Sequence, residues 1–315
     1  MKKKFIIAFI ASFICFAILY STVLSSLFQD AQVMATDDNP DDSEQVDTGQ
    51  VDTKIKNEVL FLMMGVDAND VKDSKGTRTD TMMLTKVNFE TGNIDILSIP
   101  RDTRLSVNGK LNKVNAAHAI GGPELSLETV SDFLGIEIDY FVKVDYKIVQ
   151  EVVDAIGGVE IDVPFNMKYN DPTSEPPLNI DIKKGIQVLD GKNAHDFLRW
   201  RNNNSYTIGY PEGDVGRIQA QQYFIKELVK QTLKTKNILK LPAIIETYFE
   251  NVETNIPLKI MLKGATSAKK INVENMKTAT VPGVGEYVGD TSYYIYNREE
   301  TNQIVDEMFG DYLFD

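Results

Sequence analysis

The sequence predicts an α/β layered fold, a central mixed β-sheet covered by helices on both faces. Three observations carry that expectation. Nearly continuous apolar runs at Val59–Val66, Met82–Phe89 and Ile94–Ile99 have strand length and no polar face, the pattern of strands buried on both sides. Stretches with helical apolar spacing are mixed with such runs along the rest of the chain, which layers helices on a sheet. The roughly 260 residues after Lys56 are ample for one large core, or a core plus an extension.

The elements follow in order. Lys2, Lys3 and Lys4 precede Phe5–Phe28, 24 residues without a charge. As a helix that run is about 36 Å long, enough to cross a hydrocarbon core of about 30 Å. The expectation is an uncleaved transmembrane anchor over residues 5–28, with residues 1–4 cytoplasmic and everything after Phe28 outside the cell. A cleaved signal peptide is the alternative. Val33-Met34-Ala35 is a passable cleavage site, but the apolar run is longer than a signal peptide's usual one. Residues 29–57 are expected to be an acidic linker, because "TDDNPDDSEQVDTGQVD" carries no basic residue. A main domain over 58–235 and a C-terminal α/β extension over 236–315 are expected to follow.

Within the main domain, Thr91-Gly92-Asn93 turns the second strand into the third. Pro123 opens a helix over Glu124–Leu134. A strand at Ile138–Val144 leads to a helix at Tyr146–Ile156 that Gly157-Gly158 ends, and then to a short strand at Val159–Val163. "YNDPTSEPPLN" reads as a polar, proline-rich loop. Asp190 opens a helix reaching Arg199, and Asp214 caps another to about Leu233. Helices at Ile238–Phe249 and Pro257–Ala268, strands at Met276–Val281 and Ser292–Tyr296, and a helix near Arg298–Phe309 close the chain.

Composition excludes several functions. The formal charge of −13 and the outward location argue against nucleic acid, which needs a basic face. The only cysteine, Cys15, lies in the apolar run, so the outer part has no thiol for a disulfide or a thiolate metal site. No G-x-S-x-G turn accompanies His118 or His195, and no zinc-ligand spacing surrounds them. His118 is expected to be packed or partly exposed on a helix.

The arginines are informative. Seven arginines stand against 26 lysines: Arg78, Arg101, Arg104, Arg199, Arg201, Arg217 and Arg298. Six lie at predicted element ends beside aspartates. The planar guanidinium matches phosphate oxygens two at a time, so an arginine-rich pocket with a few carboxylates has the composition a pyrophosphate requires. Structural Arg–Asp bridges are the alternative. Arg199 and Arg201, two apart, point the same way if that segment is extended. Asp67 ends one strand and Asp80 begins the next. If those strands are neighbours, both carboxylates meet at one sheet edge, as magnesium with phosphate oxygens requires. The apolar residues of 124–156, Leu125, Leu127, Val130, Phe133, Leu134, Val149, Val152 and Val153, read as core or as the lining of a channel for a lipid tail.

Taken in order, "FLMMGVD", "RTDTMML", "SIPRDT", "KVNAAHAIGG", "YFVKVDY", "VDAIGGVEIDVP", "LDGKNAHDFLRWR" and "DVGRIQAQQ" make the chain resemble the LytR-CpsA-Psr family of membrane-anchored cell-wall ligases. The likeness runs from Glu58 to Gln222, and the tail to Phe309 is similar to the extension of the LytR-type branch. The resemblance implies a single-pass protein of the cell membrane with an extracellular catalytic domain. It implies transfer of an anionic glycopolymer, teichoic acid or capsule type, from a polyprenyl pyrophosphate carrier to a peptidoglycan sugar hydroxyl. Carried over by motif, Asp67 and Asp80 correspond to magnesium carboxylates, and Arg78, Arg101, Arg199, Arg201 and Arg217 to pyrophosphate ligands. Asp102 and Asp214 correspond to orienting partners, Gln221 to a further phosphate contact, and Lys113 and Asn115 to residues near the rim. Two departures put one phosphate or polymer contact in doubt: Ala220 stands where the family commonly has arginine, and His118 where an aromatic is usual. A pyrophosphatase of lipid-linked precursors and a non-enzymatic wall-polymer scaffold remain the alternatives.

Overall fold

In a computed structural model of the chain, the predicted strands form a six-stranded mixed sheet. Its centre is β1 (Glu58–Val66), β2 (Thr79–Asn88) and β3 (Ile94–Ser98), joined antiparallel. β6 (Tyr140–Asp145) lies parallel beside β1, and β12 (Lys277–Thr280) parallel beside β3. β11 (Glu253–Thr254) adds an antiparallel edge to β6. The residues after 235 therefore supply both edge strands. The structure describes residues 57–66, 74, 76–174, 177–239, 241, 244 and 252–314. The expected anchor, residues 29–56 of the expected linker, Asp67, and most of the expected helix at Ile238–Phe249 lie outside the described residues. No helix among the described residues is long and apolar enough to cross a membrane.

The apolar runs are buried on both faces, as their sequence requires. On one face Leu60, Leu62 and Met64 of β1 meet Leu84 and Leu97 and pack under α1 (Ala116–Leu134) and α7 (Arg298–Phe309), through Val130, Leu134, Met308 and Phe309. Each such side chain contributes about 1.5–3 kcal/mol on burial. On the other face Phe61 packs with Ile260 and Met261 of α6 (Leu258–Ser267). Met63 and Met83 there meet Ile225 and Val229 of α4 (Asp214–Thr232).

The helix expected from Glu124 begins earlier, at Ala116, and is broken at Gly121 and Gly122. Gly122 has φ 72°, a conformation that a Cβ disfavours, and Pro123 restarts the helix. The expected loop at 169–179 is instead a hairpin of β8 (Met167–Asp171) and β9 (Leu178–Ile182). Three further pairings were not expected: β4 (Arg104–Val107) with β5 (Lys110–Lys113), β7 (Val159–Val163) with β10 (Gly185–Leu189), and β13 (Gly283–Val288) with β14 (Thr291–Tyr296). β4 and β5 turn through Asn108-Gly109, both at positive φ, a favoured tight hairpin. α2 (Tyr146–Ala155), capped by the Asp145 carboxylate on Ile148 N at 2.8 Å, and α3 (Gly191–Arg199) match their expected spans.

Candidate active site

Three of the five predicted arginines, Arg101, Arg201 and Arg217, gather where β3 ends and β2 begins. β3 ends in Ile99-Pro100-Arg101-Asp102, a turn pinned by its own backbone. Thr103 N donates to Pro100 O at 2.9 Å, Asn115 N to Arg101 O at 3.2 Å, and Tyr294 N to Asp102 O at 2.9 Å. The turn holds Arg101 against the Asp80 carboxylate at the start of β2, an ion pair with both side chains 22% exposed. α4 supplies the third wall. Its first residue, Asp214, pairs with Arg217 at 2.8 Å, and Arg217 also donates to Asp80 O at 3.4 Å. Asp102 is held by Lys113 at 2.9 Å. The N-terminus of this 19-residue helix adds a positive dipole end.

Arg201 enters from the segment after α3. Trp200, fully buried, stacks edge-on with Tyr210 at 5.3 Å between centroids, and Tyr210 N donates to Arg201 O at 3.1 Å. Arg101, Asp102, Arg201, Tyr210 and Asp214 line a cavity of about 340 Å³.

The electrostatics suit an anion. Burial alone would lower the Arg101 pKa, but Asp80, Asp214 and Asp102 outweigh it and raise it. Burial, Arg217 and Arg101 lower that of Arg201 against Asp214 and Asp80, although the residue as a whole is exposed and solvent moderates the effect. Both guanidinia stay charged at neutral pH. Among the described residues Arg101, Arg201, Arg217 and Lys113 face Asp80, Asp102 and Asp214, a local excess of cation. Arg101 Nε and Arg217 Nε are buried with no acceptor among the described residues, an arrangement that costs stability.

The remaining predicted residues divide. Asn115 is buried at the start of α1 with its Oδ1 unpartnered among the described residues. Gln221 is buried, with Nε2 donating to Leu198 O at 3.4 Å. Arg78 is exposed just before β2 and does not line the cavity. Arg199 is the last helical residue of α3, so the extended alternation expected for Arg199 and Arg201 does not apply; only Arg201 lines the cavity. Ala220 packs against a second apolar cluster that includes Trp200 and Phe224.

Val66 pairs with Thr79, the neighbour of Asp80, while the convergence expected of Asp67 with Asp80 lies outside the described residues. Among the described residues no group of three or more histidine, cysteine or carboxylate side chains could hold a metal. A single carboxylate, Asp80, beside an arginine cavity fits magnesium that takes its other oxygens from phosphate and water, rather than a metal caged by protein.

An apolar cavity of about 240 Å³ lies behind the charged site. Met63 and Met83 of the sheet, Val149 and Val152 of α2, and Ile225 and Leu228 of α4 form its walls. Of the residues that sequence left between core and channel, only Val149 and Val152 line it. Val130 and Leu134 sit in one core cluster and Val153 in another. Thr81, Met83 and Gln221 line both this cavity and the cleft that contains Asp80, Arg101 and Arg217. That cleft is a void of about 10 Å³, so three side chains separate the apolar space from the arginines.

His118, expected to be packed or partly exposed, is 2% exposed. Its Nδ1 donates to Thr77 O at 2.8 Å, which makes Nδ1 the protonated nitrogen, while Nε2 has no partner among the described residues. Burial lowers its pKa below the ordinary 6.5; Lys143 adds to this, and the Thr77 contact, Glu253 and Glu124 oppose it. The folded chain then binds fewer protons than the unfolded chain just below pH 6.5. Stability from this residue is full above that pH and falls as pH drops toward the folded pKa. Melting temperatures from pH 7.5 to 5 should fall more steeply in the native sequence than in His118→Gln; equal slopes would remove His118 as the cause.

Comparison with known proteins fits this geometry. Residues 21–310 match the model of the LytR_cpsA_psr family, and the chain belongs to that family. It is 32% identical over 268 residues to the polyisoprenyl-teichoic acid–peptidoglycan teichoic acid transferase TagV of Bacillus subtilis, covering 79% of this chain and 65% of TagV. The match thus spans just under two thirds of that relative's length. A second transferase so named, TagU of Bacillus subtilis, is 30% identical, covering 82% of this chain and 79% of TagU. The crystal structure of Bacillus subtilis TagV superposes with a TM-score of 0.66 at 30% identity, over 82% of this chain and 98% of that one.

Proposed function

We propose that the chain is an extracytoplasmic phosphotransferase that moves an anionic glycopolymer, of teichoic acid or capsule type, from polyprenyl pyrophosphate to a sugar hydroxyl of peptidoglycan. The observation that carries this is the proximity of an arginine site to an apolar cavity: Thr81, Met83 and Gln221 line both that cavity and a narrow void of about 10 Å³ beside Asp80, Arg101 and Arg217. A ligand with phosphates at one end and a hydrocarbon tail at the other satisfies both. The names of TagV and TagU support the same chemistry. Phe5–Phe28 anchors the proposed enzyme in the membrane that carries its donor, with the N-terminus cytoplasmic and the domain outside.

In the proposed reaction the acceptor oxygen attacks the phosphorus that bears the glycopolymer. The bond from that phosphorus to the bridging oxygen breaks, and polyprenyl phosphate leaves. Arg101, Arg217 and Arg201 bind the phosphate oxygens and stabilise the charge that gathers on the leaving group. Lys113 and Asn115 fix the Asp102 turn, while Arg78 and Arg199, outside the cavity, take no part in the proposed phosphate contacts. We assign the hydroxyl proton to Asp102, which lines the cavity. Magnesium, held by Asp80 with Asp67, would neutralise pyrophosphate charge and polarise the bond to be broken. The arrangement works by positioning and charge, with no covalent enzyme intermediate.

Product analysis tests the reading. The full-length protein in detergent, given lipid-linked glycopolymer, magnesium and peptidoglycan, should yield polymer joined to peptidoglycan, and a chelator should suppress the yield. Free polymer phosphate as the sole product would make the protein a pyrophosphatase. No product with polymer still bound would make it a scaffold.

A further inference from the structure

One cavity residue has a backbone the fold must force. Among the described residues only Asn108 and Tyr206 are non-glycine residues at positive φ. Asn108 belongs to a tight Asn-Gly hairpin, where that conformation is ordinary. Tyr206, at φ 58°, carries a bulky side chain in the left-handed region, which persists only where the surroundings over-determine it. They do so here. Asn202 bridges Gly209, and Tyr206 N donates to Asn203 O at 3.0 Å. The Asn203 carboxamide oxygen accepts from Thr207 N at 2.9 Å and Ile208 N at 3.2 Å. Asn204 exchanges two hydrogen bonds of 2.8 Å with the backbone of Asn170.

The ring on this fixed backbone does not support the fold, for Tyr206 is 83% exposed. It nevertheless lines the cavity with Arg101, Arg201, Asp102 and Asp214. An exposed aromatic face on a fixed backbone, beside arginines suited to phosphate and carboxylates to accept from hydroxyls, matches a phosphorylated sugar. The ring meets the apolar C–H face of the pyranose, the arginines its phosphate and the carboxylates its hydroxyls.

We infer that Tyr206 is a sugar-binding platform that holds the pyranose next to the reacting phosphorus. This rests on the phosphotransferase reading and names a residue that positions its sugar. The ring belongs to the donor polymer or to the acceptor glycan, whose chemistry here is the same.

The test uses the full-length protein with Tyr206→Gly, Tyr206→Phe and Tyr206→Trp. Glycine suits the left-handed backbone, so Tyr206→Gly should melt no lower than the native protein. Titration with an N-acetylhexosamine 1-phosphate should show at least fivefold weaker binding in Tyr206→Gly, with Tyr206→Phe and Tyr206→Trp close to native. Inorganic phosphate should bind equally to all four. In transfer assays Tyr206→Gly should raise the KM of one substrate with kcat within about twofold. A donor effect assigns the donor sugar and an acceptor effect the acceptor sugar. Equal sugar-phosphate affinity in Tyr206→Gly and the native protein would overturn the assignment, as would weakening alike in all three variants. Native protein that transfers nothing while the titration difference stands would instead remove the phosphotransferase reading.

Discussion

Replacing Arg101 by alanine is expected to lower the transfer rate by about 10²–10³-fold, the loss that follows removal of one preorganised group facing developing charge. Arg101 is the residue on which the site's charges converge. It pairs with Asp80, lines both the cavity and the narrow cleft, and is stabilised as a cation by three carboxylates. Its Nε is buried without an acceptor among the described residues. Arg101→Lys should recover only part of the rate, because an ammonium keeps the charge and loses the bidentate fork. The melting temperature should change little, since Asp80 retains access to solvent once its partner is gone. Rates for Arg101→Ala within about threefold of native would sink the assignment of phosphate binding to this cleft.

Filling the apolar cavity is expected to separate donors by tail length. Val149 is half-buried on the cavity wall, and Val149→Trp occupies the space without touching the arginines. At about 0.8 kcal/mol per buried carbon, displacing one five-carbon unit costs roughly 4 kcal/mol, or nearly a thousandfold in affinity. Partial accommodation of the tail on the surface reduces that, so at least a tenfold rise in KM is expected for long-chain donors. Short, water-soluble donors should be affected about twofold or less. The melting temperature monitors overpacking, which costs about 1–3 kcal/mol where it occurs. Equal loss for long and short donors would mean that the tryptophan disturbs the site itself, and no loss for either would remove the cavity from lipid binding.

Much of this was legible in the sequence because it depends on local pattern. The runs at Val59–Val66 and Ile94–Ile99 have no polar face, and the structure buries both faces under helices. Arg101 and Arg217 follow a strand end and a helix start, where side chains of different elements meet in a layered fold. The misses have physical causes. Proline and aspartate in "YNDPTSEPPLN" carry strong turn signals, which hid a hairpin whose turn they form. Asn108-Gly109 is itself a hairpin signal, and β4 and β5 pair on either side of it. Arg199 and Arg201 were paired by spacing, but a helix ends between them and redirects one side chain. Whether apolar residues at 124–156 were core or channel depended on tertiary packing, and only Val149 and Val152 reach the cavity. Tyr206 was invisible because its importance lies in a backbone angle, which a loop of asparagines and serine does not declare.

The central claim is that one ligand spans both spaces, with phosphates on the arginines and tail in the cavity. The most direct measurement is a crystal structure of the protein with a polyprenyl pyrophosphate-linked sugar bound. The expected result puts phosphate oxygens within hydrogen-bond reach of Arg101 and Arg217, and the polyprenyl chain between α2 and α4 against Met63 and Met83. Phosphates bound away from both arginines, or a tail lying outside with the cavity closed, would contradict it.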